Sequence, residues 1–125
     1  MILDTNAVSA LLSEERAFLR RFPPYFHHHL PAIVIGEYKA GLLRSTIRAD
    51  LEVRFRELIV ESTTLDVNVE TAEVYATLLA SLRETGGPIP TNDIWIAALA
   101  IQHDVPLISS DPHFDRIPEV RRVTW

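Results

Sequence analysis

Eight consecutive residues, Ile94-Trp95-Ile96-Ala97-Ala98-Leu99-Ala100-Ile101, present apolar side chains at every position. Wound into a helix, they leave no polar face. Such a helix must be packed between other elements on all sides. The run is too short to cross a bilayer, which takes roughly 20 apolar residues. It therefore predicts a soluble fold with a helix driven into its centre. Thr91, a good N-cap, opens it, and Asp93 falls in its first turn, where the helix dipole favours a carboxylate.

Short β-type runs alternate with helical stretches around this centre. Met1-Ile2-Leu3, Tyr25 to Leu30, Thr64 to Val67, Pro106 to Ser109 and Arg122 to Thr124 read as strands. Asp4-Thr5-Asn6 offers N-caps for a helix over Ala7–Leu12. A second helix, about Glu14 to Arg21, must stop before Pro23-Pro24. Pro31 starts a helix through about Leu43. Ile47 to Ile59 is amphipathic through Leu51, Phe55, Leu58 and Ile59. Val69 to Glu84 presents Ala72, Tyr75, Ala76, Leu79 and Leu82 on one face and is ended by Gly86-Gly87. The pattern predicts one α/β domain over residues 1–125, a three-layer sandwich with a short, mostly parallel central sheet flanked by helices. In such sheets ligands gather at the carboxyl ends of the strands. Asp4 and Asp111 both follow strands and belong to that end.

Four acids stand at the edges of apolar runs: Asp4, Glu37, Asp93 and Asp111. Each has a simple structural role open to it. Asp4 and Asp93 suit helix starts, Asp111 suits the turn before Pro112, and a mid-helix Glu37 suits a surface. Glu37, however, adjoins Ala32, Gly36 and Ala40, small residues spaced by four that predict a closely packed helix face. Taken together, four carboxylates at one edge repel one another, and a divalent cation is the usual compensation. With no cysteine in the chain and no paired histidines beside these acids, an oxygen-only ligand set points to Mg²⁺ or Mn²⁺ rather than zinc. Thr5, Asn6, Asn92 and Ser110 flank the acids and can hold them by hydrogen bonds. Asp115 is a peripheral candidate.

The net charge of −5, from 12 bases and 17 acids, argues at first against a nucleic-acid binder. Five of the acids, Asp4, Glu37, Asp93, Asp111 and Asp115, belong to the suspected site. The remaining twelve balance the twelve bases. Eleven of those bases are arginines, whose forked guanidinium suits phosphate. Arg20-Arg21, Arg44, Arg48, Arg54, Arg56 and Arg121-Arg122 form either a basic rim or an ordinary salt-bridged surface. With 47% hydrophobic residues the chain can build a core without disulfides. The lack of cysteine fits a reducing cytoplasm, and no signal-peptide pattern is present.

Leu3-Asp4-Thr5-Asn6, Ile35 to Gly41, Asp93 to Ala100 and Leu107 to Phe114, in that order, resemble the PIN domain, most closely the VapC-type toxins of prokaryotic toxin–antitoxin pairs. The resemblance extends from Met1 to Trp125. It implies a metal-dependent endoribonuclease that cleaves RNA phosphodiester bonds and is neutralised by a cognate antitoxin. Asp4, Glu37, Asp93 and Asp111 would be the catalytic set. Asp4, Asp93 and Asp111 would bind Mg²⁺ or Mn²⁺, and Glu37 would act through a metal-bound water. Thr5 and Ser110 would orient ligands or the scissile phosphate, and Asn6 and Asp115 would support them. The resemblance also implies a homodimer, and an assembly that binds DNA through its antitoxin. The competing reading is a PIN-like partner that acts through complex formation rather than catalysis. A receiver domain fits poorly, lacking an adjacent acidic pair after strand one, and Asn6 stands where a haloacid-type phosphatase needs its second aspartate.

His27-His28-His29 alternate faces along a strand, which favours a surface or interface role over a metal site. Trp95 and Trp125 suit either a partner surface or the core.

Overall fold

The computed structural model describes residues 1–23, 26–46 and 48–125. Strands β1 (Ile2–Leu3), β2 (His29–Pro31), β3 (Thr63–Leu65), β4 (Leu107–Ile108) and β5 (Arg122–Val123) form one sheet in the order β3-β2-β1-β4-β5. Every neighbouring pair is parallel, with Ile2 opposite both His29 and Leu107, and Ile108 opposite Val123. The helices are α1 (Thr5–Leu12), α2 (Arg16–Arg21), α3 (Ala32–Leu43), α4 (Arg48–Glu61), α5 (Val69–Glu84) and α6 (Thr91–Gln102), followed by a 3-10 turn over Pro112–Arg116. Ile2 and Leu3 are consecutive, so they point to opposite faces of the sheet, and both are fully buried. Layers of helix therefore cover both faces, as the expected three-layer sandwich requires.

Strand order reverses at β1. The chain first builds outward through β2 and β3, then crosses back to place β4 and β5 on the other side. The crevice between β1 and β4 is the topological switch point, where neighbouring strands hand over to segments that diverge. The strands are only two or three residues long, so each hands over quickly. Asp4 alone separates β1 from α1, and Pro31 ends β2 and directly precedes α3.

The apolar helix is as central as its composition requires. Ile94, Ile96, Ala97, Ala98, Leu99 and Ala100 of α6 are all buried. Trp95 is half-buried and stacks on Tyr75 of α5, with ring centroids 3.8 Å apart and planes 15° from parallel. Trp125 packs edge-on against Phe18 at 5.0 Å while its indole N–H donates to Glu15 Oε1 at 2.9 Å. Both tryptophans thus serve packing within the chain.

Several expectations shift on contact with tertiary structure. Thr91 is the first helical residue of α6, not its cap. Pro90 holds the cap position and makes no side-chain bond there. The strand expected over Tyr25–Leu30 is β2 at His29–Pro31, and Tyr25, like Pro24 and Ile47, lies outside the described residues. The strand expected over Thr64–Val67 is Thr63–Leu65, and the helix expected from Glu14 starts at Arg16, because Glu14 turns through φ 57°. Helix α5 keeps much of the expected face: Leu82 is buried and Tyr75 and Leu79 pack against the core, while Thr71 and Leu78 are buried in place of the exposed Ala72 and Ala76. Ala32, Gly36 and Ala40 are exposed too, so α3 buries Val34, Tyr38 and Leu42 instead of its small-residue stripe. Leu51, Phe55, Leu58 and Ile59 of α4 do face the core.

Thr71, though polar, is buried in α5. Its backbone N–H donates to Asn68 Oδ1 at 3.0 Å, and its hydroxyl accepts from Asn68 N–H at 3.1 Å, a reciprocal cap. The same hydroxyl donates to Gln102 Oε1 at 2.5 Å, and Gln102 Nε2 donates to Asn68 Oδ1 at 3.1 Å. The start of α5 is therefore tied to the end of α6. Asn68→Ala should lower unfolding stability by about 1–2 kcal/mol, read as a lower urea midpoint with an unchanged m-value.

Candidate active site

Asp4 is the cap of α1. Its Oδ1 accepts from Ala7 N–H at 2.8 Å, and its own N–H donates to Ile108 O at 3.2 Å. Its Oδ2 accepts a hydrogen bond from the Ser109 hydroxyl, at the end of β4. The Ser109 Oγ in turn accepts from Asp111 N–H at 2.9 Å, and Asp111 Oδ1 accepts from His113 N–H at 2.9 Å. One chain of hydrogen bonds thus crosses the β1–β4 switch point and places Asp4 and Asp111 at the same edge. Asn6 closes it from the other side, its Oδ1 accepting from Ser110 N–H at 3.0 Å.

Asp93 enters from the first turn of α6 and Glu37 from the second turn of α3. With Asp4, Thr5, Asn6, Ser9, Ile96 and Asp111 they line a cavity of about 280 Å³. All four predicted carboxylates therefore meet in one space. Among the described residues no lysine or arginine lines it. The Arg122 guanidinium interacts electrostatically with Asp111 and Asp4. It is held by Asp115 through two bonds of 2.7 Å and by its own bond to Ser109 O at 3.0 Å.

The uncompensated setting appears in the protonation equilibria. Burial pushes the Asp4 carboxyl up to about 6. The Ser109 and Ala7 hydrogen bonds oppose the rise, and the charges of Asp93 and Asp111 add to it. Burial also raises Glu37, and the Asp93 charge adds to the effect. Asp93 rises for the same primary reason, with Asp111 adding and the His113 hydrogen bond opposing. Glu37 Oε1 and the Thr5 hydroxyl are shielded from solvent and have no hydrogen-bond partner. Thr5 and Asn92 lie close enough to moderate the rise at Glu37, yet neither completes a regular hydrogen bond to Oε1. Such orphaned oxygens are costly to bury. Four carboxylates, two unpaired oxygens and no lysine or arginine in the lining suit a hard divalent cation, whose ligands are oxygens.

The other sequence candidates are placed as follows. Thr5 and Asn6 line the cavity, whereas Ser110 is exposed and contributes its backbone N–H. Asp115 is exposed and outside the cavity, its carboxylate held below the usual range by the Arg122 hydrogen bond. It touches the acids only through Arg122. The arginine rim is in part otherwise engaged. Arg54 pairs with Glu14 at 2.8 Å, and Arg121 binds Asp104, after the far end of α6, at 3.0 Å. The histidine run does alternate: His27 and His29 rings meet at 4.9 Å, while His28 is buried against Phe26.

Two side chains at the site lie outside the set of site residues read from the sequence. Ser109 is fully buried and bonds Asp4, a role readable only once β1 and β4 are known to be neighbours. His113 Nδ1 lies 3.3 Å from Asp93 Oδ2 and 3.1 Å from Asp111 Oδ1. The Asp111-Pro112 turn that brings it back was its signal.

Comparison with known proteins bears on the family and the fold. The model of the PIN domain matches residues 1–120. Ribonuclease VapC4 of Mycobacterium tuberculosis is 27% identical over 94 residues, spanning 74% of this chain and 72% of that protein. Ribonuclease VapC5 of the same organism is 32% identical over 85 residues, 66% of this chain and 62% of that protein. The solved structure of VapBC2 from Rickettsia felis, bound to a DNA fragment from its promoter, superposes with a TM-score of 0.87 at 21% identity. That match covers 99% of this chain and 97% of the other. The chain belongs to the PIN domain family.

Proposed function

We propose that this PIN-domain protein is a metal-dependent endoribonuclease toxin, restrained in the cytoplasm by a cognate antitoxin. One observation carries the catalytic part: four carboxylates converge on one cavity that has no lysine or arginine in its lining. Curated relatives named as ribonucleases support RNA as the substrate. Solved relatives of the VapBC type support a protein partner, and the Rickettsia felis complex supports DNA binding by the assembly. A homodimer is part of the same reading. Among the described residues no helix is long and apolar enough to cross a membrane. Leu43 of α3 and Val53 and Val60 of α4 stay exposed, an apolar surface that suits an antitoxin helix.

Asp4, Asp93 and Asp111 would hold Mg²⁺ or Mn²⁺. When bound, the ion would supply charge neutralisation, polarisation of a phosphate oxygen and acidification of water. The rest falls to the side chains. Asp4 is fixed by Ala7 and Ser109, so it arrives preorganised. Glu37 has a buried, unpaired oxygen and a raised pKa, which suits it to take the proton of the attacking water. As that oxygen bonds to phosphorus, the opposite P–O bond of the RNA backbone breaks. Thr5, with its unpaired hydroxyl, and the Asn6–Ser110 pair would orient the phosphate.

The test is cleavage of RNA by purified protein with Mn²⁺. Asp4→Asn, Glu37→Gln and Asp93→Asn should each slow it by about 100-fold or more, and EDTA should stop it. Undiminished cleavage by the variants would overturn the assignment. A protein that binds a co-expressed neighbour-gene product without cleaving RNA would favour action through complex formation.

The site should also cost stability. The folded Asp4 pKa of about 6 lies above its ordinary value of 3.8. Its favourable contribution is thus complete below about pH 4 and is lost as pH rises through 6. Asparagine keeps an acceptor for Ala7 N–H and removes the charge. In metal-free protein at pH 7–8, Asp4→Asn should therefore gain on the order of 2 kcal/mol over wild type. The difference should vanish near pH 4 in denaturant titrations. A variant less stable than wild type at pH 8 would contradict this.

A further inference from the structure

We propose that His113 is a direct nitrogen ligand of the divalent cation, through Nδ1, beside Asp93 and Asp111, and that it biases the site toward Mn²⁺ over Mg²⁺. The inference rests on the metal-dependent reading above and extends it to a residue outside the acidic set.

The geometry carries it. Nδ1 is 3.3 Å from Asp93 Oδ2 and 3.1 Å from Asp111 Oδ1. One ligand atom from each of Asp93, Asp111 and His113 can be chosen so that all lie within 4.8 Å of one another. Two ligands at right angles, each about 2.1 Å from one ion, are about 3 Å apart. The two separations are thus those of adjacent ligands on a shared ion. The ring is not there by chance of a free surface side chain. His113 N–H donates to Asp111 Oδ1 at 2.9 Å, Pro112 begins the 3-10 turn, and the next residue, Phe114, is buried at 1% exposure. Asp111 and His113 therefore come from one anchored turn and meet Asp93 across it. The His113 side chain is 44% exposed, against 18% for Asp93, so water and substrate can reach the third side of the triangle.

The chemistry supplies the selectivity. Mg²⁺ prefers an all-oxygen shell and retains water, while imidazole favours transition ions. Two carboxylates and one imidazole make a mixed set that Mn²⁺ accepts more readily than Mg²⁺. The alternative is that the ring only donates a hydrogen bond to the carboxylates and never meets the ion.

Pulsed electron paramagnetic resonance of Mn²⁺-loaded protein separates the two. Wild type should show ¹⁴N coupling to Mn²⁺, and His113→Ala should lose it. Titration should show Mn²⁺ affinity falling about tenfold or more in the variant, with Mg²⁺ affinity changing less than about threefold. Bound Mn²⁺ in wild type without ¹⁴N coupling overturns the proposal, as does coupling that survives in His113→Ala. Should the variant fail to fold, the wild-type spectrum still decides. Asp93→Asn provides the separate check: if it binds Mn²⁺ as tightly as wild type, the ion is not in this cavity, and the acidic metal site itself is overturned.

Discussion

The Asp4–Ser109 hydrogen bond spans the point where the sheet changes direction, and the arrangement of the acidic edge follows from it. Ser109 is fully buried and Asp4 nearly so. Each would be an expensive polar group without the other. Their bond satisfies both, and Asp111 N–H then bonds Ser109. The residue that caps α1 is therefore also the residue against which the end of β4 is aligned. On the proposed function, structure and chemistry are served by the same carboxylate, and its buried charge is the part whose removal is expected to gain stability.

A second constraint comes from α6. An apolar helix in the middle of the domain has to begin somewhere near the sheet edge, and its first turn carries the acid Asp93. Placing a half-buried charge in the first turn of an apolar helix is tolerable because the dipole and His113 favour it, but burial still raises its pKa. The cavity thus collects carboxylates that are positioned well and solvated poorly. That combination is hard to reconcile with a purely architectural purpose and natural for a site that receives a cation.

The sequence was most readable where chemistry is local. Asp4 beside a strand, Asp93 before an apolar helix and Asp111 before proline declare their positions through capping and turn preferences. The five strands and six helices were visible as patterns, with ends displaced by a few residues. Readability failed where a neighbour in space decides. Thr71, a buried polar residue, is held by Asn68 and Gln102, two partners no periodicity reveals. The stripe of Ala32, Gly36 and Ala40 reads like a contact face but is left exposed on the single chain, and Glu37 owes its shielding to the site instead. The partners of Ser109 and His113 were not legible because their roles exist only after β1 meets β4 and α6 meets the Pro112–Arg116 turn.

Arg116, at the end of that turn, reaches back to the carbonyls of Gly87 and Pro88, at 2.5 and 3.4 Å. Those residues lead into α6, and Gly86 and Gly87 adopt positive φ angles of 102° and 141° that other residues rarely hold. The two walls of the cavity that carry Asp93 and Asp111 are thereby laced together from behind, outside the cavity itself. The spacing of these walls thus depends on an arginine-to-carbonyl latch as well as on the groups that line the cavity. Changes in the loop before α6 can then shift Asp93 relative to Asp111 without altering a single residue that lines the cavity.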